Sequence, residues 1–162
     1  MAEVVKNTLY ILVLTLIFGL SLKAWSQGSM NLIGSKGYAT SLGPSTGLGF
    51  SLTGGKGPRE VSFGYLSNEI ETAPDQTYHL ESYFIDFHKR AHERAALFWG
   101  ARVAYLVSRA PERDFNSGLG VSPQLGLDVP LGQRMTLRFG GEWYPFREYS
   151  AFQLTLRFHR PR

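Results

Sequence analysis

Apolar and polar residues alternate at the end of the chain. Phe152, Leu154, Leu156 and Phe158 hold one phase, and Gln153, Thr155 and Arg157 hold the other. A period of two is that of a β-strand with one apolar and one polar face. Related runs recur upstream. A first strand is predicted over Met30 to Tyr38, with weak alternation. A second, Ser45 to Thr53, carries Leu48, Phe50 and Leu52 in phase, and a third, Glu60 to Leu66, carries Val61, Phe63 and Tyr65. The fourth, Thr77 to His88, changes phase between Tyr78/Leu80 and Tyr83/Ile85/Phe87, which predicts a β-bulge near Glu81-Ser82. The fifth, Ala95 to Ser108, sets Leu97, Trp99, Val103, Tyr105 and Val107 against Gly100, Arg102 and Ala104. In the sixth, Leu119, Val121, Leu125, Leu127 and Val129 alternate around Pro123, a residue that marks an edge or a bulge. The seventh sets Met135, Leu137, Phe139 and Trp143 against Thr136, Arg138, Gly140 and Glu142, and the terminal run is the eighth.

An even number of strands puts both ends of the sheet on one side. The turns at 54–59, 89–94 and 130–133 then share the side of the termini, and the connections near 39–44, 68–76, 109–117 and 145–149 lie opposite. All are short, which argues against loop-borne receptor or adhesin functions.

The N-terminus reads as an export signal. Lys6 supplies a positive charge, Thr8 to Leu22 is almost wholly apolar, and Ala24-Trp25-Ser26 predicts cleavage before Gln27. A retained signal anchor is the alternative. The division is a signal peptide at 1–26 and a single domain at 27–162. Without cysteine the chain has no disulfide, thiolate metal site or acylated lipoprotein N-terminus. After residue 26 there are 15 Lys+Arg against 12 Asp+Glu, scattered singly. Nucleic-acid binders concentrate positive charge in a stripe, so nucleic acid is not expected as a partner.

Which face meets water decides the class of barrel. A soluble barrel turns its apolar phase inward, and a membrane barrel inverts this. The polar phase here is mostly Gly, Ser, Thr and Gln, and only three lysines follow residue 26. That composition suits a narrow lumen better than a water-facing surface. Arg102, Asp128, Arg138, Glu142 and Arg157 are then expected as lumen ion pairs filling the interior instead of a conducting pore. Tyr65, Tyr105, Trp143, Tyr144, Phe146 and Tyr149 fall near predicted strand ends and read as interfacial girdles.

These strands, tight turns and leader resemble the small eight-stranded outer-membrane barrels of the OmpA/OmpX type, over residues 30–158. The resemblance implies insertion in the outer membrane. It also implies that Phe152, Leu154, Leu156 and Phe158 form an assembly signal for the barrel-insertion machinery. Many unrelated roles share this barrel, so it does not fix function.

Candidate chemistry is sparse. His88 and His92 stand four apart in a cation-rich segment, which reads as a solvated basic turn and not as a metal site. His88, Lys89, Arg90, His92 and Arg94, with the tail 159–162, are candidate contacts for lipid headgroups or a partner protein. His79, Glu81 and Ser82 could serve a lipid A deacylase-like enzyme, although the His-x-Ser-Asn pattern of those enzymes is absent. Gly54-Gly55-Lys56-Gly57 lacks the spacing of a phosphate loop and reads as a hairpin turn. The expectation is an all-β, eight-stranded antiparallel up-and-down transmembrane β-barrel without cofactor. It would be non-enzymatic, acting structurally or as an accessory subunit of a larger cell-envelope complex. A lipid-modifying enzyme and a secreted soluble barrel binding an apolar ligand are the alternatives.

Overall fold

The computed structural model describes residues 28–40, 43–73, 76–91, 96–109, 117–145 and 149–159; the segment read as a signal peptide lies outside them. Eight strands follow one another: β1 (Ser29–Ala39), β2 (Gly43–Lys56), β3 (Arg59–Ala73), β4 (Gln76–Arg90), β5 (Leu97–Arg109), β6 (Gly118–Pro130), β7 (Met135–Tyr144) and β8 (Tyr149–His159). Each pairs antiparallel with its sequence neighbour, and β1 with β8 closes the barrel. In the closing ladder Leu32 lies opposite Leu156 and Met30 opposite Phe158. Ser29 faces His159, so both ends of the described barrel lie at one rim, the terminal rim.

The strands run longer than the alternation alone predicts. β3 and β4 continue to Ala73 and from Gln76, so most of the connection expected at 68–76 is strand, with a register shift between Glu71 and Ala73. No shift occurs at Glu81-Ser82. The phase of β4 is constant: Tyr78, Leu80, Ser82, Phe84, Asp86 and His88 are all buried, while Tyr83 and Phe87 are exposed. The apparent slip arises because the inward set begins with apolar residues. At the terminal rim, Gly57 takes φ 63° and Pro58 follows, joining β2 to β3 in a two-residue turn. That backbone is open to glycine and strained for side chains carrying Cβ.

Pro123 lies within β6 without a bulge, facing outward opposite Ala101 of β5. Its effect falls on the other edge. The β6–β7 ladder stops at Gln124–Glu142. Beyond it, the Trp143 N–H donates to Ser122 Oγ at 2.8 Å, and that hydroxyl donates to the Pro123 carbonyl at 3.1 Å. A side chain thus serves where proline, lacking an N–H, interrupts the ladder.

The wall is apolar outside. Leu48, Phe50, Leu119, Val121, Leu125 and Trp143 are each at least 55% exposed, whereas Arg102, Asp128, Arg138, Glu142 and Arg157 are buried within. A soluble barrel with an apolar cavity requires the opposite sidedness. Phe50, Tyr65, Tyr83 and Tyr105 are cross-strand neighbours in a single row, with Tyr65 and Tyr83 rings 5.1 Å apart. Tyr144 and Tyr149, expected in a girdle, instead point inward and are 2% and 3% exposed; Phe146 lies outside the described residues.

Candidate functional site

Strand parity delivers the polar residues to the lumen, where they form two ionic clusters. Near the terminal rim, Arg138 is bidentate to Asp128 at 2.6 and 2.9 Å and reaches Glu60 at 2.8 Å. Arg90 bridges the same two carboxylates at 2.7 and 2.6 Å, and Arg157 lies 3.1 Å from Glu60. Halfway along the barrel, Arg102 is bidentate to Asp86 at 2.6 and 2.9 Å and donates to Glu142 at 2.7 Å. Planar guanidinium groups suit this because each offers several fixed donors to flat carboxylates. Among the described residues the two clusters thus hold four guanidinium groups against four carboxylates, three against two near the terminal rim and one against two halfway along, so that they balance only together.

His88 joins them. Arg138 Nη1 donates to His88 Nδ1 at 3.0 Å, which leaves Nε2 protonated to donate to Gln124 Oε1. Gly100 makes room for this ring, since a Cβ there would lie 1.9 Å from the Phe87 carbonyl oxygen and 2.8 Å from the imidazole. The Arg102 guanidinium lies over the Phe84 ring at 3.7 Å, and Arg138 over Phe98 at 4.0 Å. Toward the far rim the lumen becomes uncharged and largely apolar, filled by Leu66, Ile70, Leu80, Leu106, Tyr144 and Tyr149, with Ser35 hydrogen-bonded to Asn68 and Ser45 to Tyr149 among them. A cavity of about 30 Å³ lies between the clusters. It cannot carry a column of hydrated ions along the axis.

The five residues expected as lumen ion pairs meet here, together with Glu60, Asp86 and Arg90. Glu60 shares the parity of Ser62, and Asp86 lies opposite to Ile85 and Phe87. Both signals are in the sequence, that of Glu60 at the very start of the predicted third strand. His88 and Arg90 require correction as surface contacts. β4 continues to Arg90, so even-numbered positions point inward: His88 is 7% exposed and Arg90 is held by Glu60 and Asp128. Lys89 between them is exposed; His92 and Arg94 lie outside the described residues. Phe152 and Leu154 are exposed on the outer wall, with Leu156 and Phe158 half-buried beside them.

The candidate enzymatic trio does not assemble. His79 is exposed, 3.9 Å from Glu69, whereas Ser82 is 3% exposed inside the lumen. A strand of period two cannot bring positions 79 and 82 to one face. No metal-binding group of His, Asp and Glu occurs among the described residues.

No protein-family profile and no curated protein matches the sequence. Solved structures do. Neisserial surface protein A is similar over 82% of this chain and 96% of its own, with a TM-score of 0.60 at 13% identity. A de novo designed transmembrane β-barrel covers 83% of this chain and 97% of its own, with a TM-score of 0.51 at 9% identity. The designed barrel TMB2.3 covers the same shares, with a TM-score of 0.50 at 12% identity. At these identities the likeness is one of fold: that of the small outer-membrane barrel, closed and eight-stranded.

Proposed function

We propose that this protein resides in the outer membrane as a sealed, non-enzymatic β-barrel and serves as a structural or accessory subunit of a larger envelope complex. The observation that carries this reading is the closed interior, in which two arginine–carboxylate clusters and an apolar layer occupy the lumen. Such a barrel offers its outer wall and rims to other molecules, not its axis. The outward apolar residues suit lipid, and Phe152, Leu154, Leu156 and Phe158 suit recognition by the insertion machinery during assembly. The short connections favour contact through the rims over capture by long loops.

Fractionation of expressing cells, with electrophoresis of the envelope before and after boiling, tests the location. A heat-modifiable band in the outer membrane is expected; recovery in the soluble periplasm would overturn it. Crosslinking in the same cells tests the accessory role. A stoichiometric adduct with one envelope protein is expected, and a monomer without adducts would remove that part of the proposal.

A further inference from the structure

Three cations stand side by side on the outer wall at the terminal rim. Lys56 lies opposite Arg59 across the β2–β3 turn, and Arg59 lies opposite Lys89 of β4. All three are exposed and none forms an ion pair with a described residue. The nearest carboxylate in sequence, Glu60, points inward and is engaged by Arg90, Arg138 and Arg157. Directly opposed like charges on one sheet face repel, so this row is relieved by an anion placed across it. The far rim has the contrary character, with exposed Glu69 and Glu71.

The wall beside the row is that of a lipid contact. Lys89 is paired with outward Trp99, and one step along the strands the same face presents Val61, Phe87 and Ala101. Phe87 is 51% and Trp99 40% exposed. A ligand satisfying both parts carries a negative phosphate and an apolar tail. Arginine and two lysines supply several donors for phosphate oxygens, and an indole suits the headgroup boundary.

We infer that Lys56, Arg59 and Lys89 form a binding site for an anionic glycerophospholipid, its phosphate on the three cations and its acyl chain along Val61 and Phe87. This rests on the membrane reading above and deepens it by naming the lipid class at one rim. An inward-facing ring of charge would be neutralised by the lumen; this row is outside it and continuous with the bilayer-facing wall.

The test uses protein purified from the envelope, with Trp143 replaced by Phe so that Trp99 is the remaining indole after residue 26. Phosphatidylcholine vesicles then receive either brominated phosphatidylglycerol or brominated phosphatidylcholine, and quenching of Trp99 gives their relative association. Phosphatidylglycerol is expected to be favoured about fivefold at low salt, with the preference falling as salt rises. K56Q/R59Q/K89Q is expected to bring the ratio to about one, while R134Q, an exposed cation outside the row, leaves it unchanged. Equal quenching by both lipids, or a preference surviving the triple variant, overturns the site. Loss of the preference on adding inorganic phosphate at constant ionic strength overturns the assignment to lipid, and displacement by lipid A overturns the assignment to a glycerophospholipid. Heat-modifiability checks each variant, so failure to form a membrane barrel is seen separately from failure to select the lipid.

Discussion

Arg102 is 1% exposed and holds Asp86 and Glu142 on either side of its guanidinium. Replacing it with methionine keeps much of the volume over Phe84 but leaves two carboxylates buried without their cation. Breaking a buried pair in this way costs about 3–5 kcal/mol, whereas neutral groups of similar shape cost much less. R102M is expected to lower stability by that amount in urea unfolding of the vesicle-inserted barrel, and R102M/D86N/E142Q to recover part of it. Equal stability of R102M and wild type would mean that the cluster contributes only filling. The individual charges were legible from strand parity, since Arg102 and Glu142 occupy polar phases. Their partner Asp86 carries the same signal, alternating with Ile85 and Phe87; what parity hid was that Tyr78 and Leu80 share its inward phase, which read as a bulge. Apolar residues on the inward face are invisible to a rule that equates apolar with outward.

At the scale of the strand, alternation located all eight elements and their up-and-down order, but not their ends or their register. β3 and β4 gained residues on the far side because a hairpin goes on pairing where its partner persists, even through polar Asn68 and Glu69. Pro123 was legible as a disturbance, and its site of action was decided by the neighbouring strand. Ser122 accepts the Trp143 N–H where the β6–β7 ladder ends. S122A would leave that donor unsatisfied at the wall, at about 1–3 kcal/mol, whereas S122T retains the hydroxyl. The measurement is chemical unfolding of both variants followed by Trp143 fluorescence; a silent S122A would assign the seam's stability elsewhere.

The whole barrel has an asymmetric interior, ionic from the terminal rim to its middle and uncharged and largely apolar beyond. In planar bilayers it is therefore expected to show no steady conductance, because ions would have to cross both the ion-paired clusters and a largely apolar layer. Stable unitary currents from a folded, heat-modifiable preparation would contradict a sealed lumen. The period-two alternation and the small, lysine-poor polar phase by themselves determined an eight-stranded barrel that is polar within and apolar without. Each strand must present one face to a narrow interior and the other outward, and that constraint is local. Only the tertiary structure decided that Glu60, Arg90, Asp128, Arg138 and Arg157 share one cluster, that Tyr144 and Tyr149 fill the lumen, and that Lys56, Arg59 and Lys89 stand in a row. Those groupings depend on register between strands far apart in the chain. Register is set by ring closure and mutual packing, and no single strand carries it.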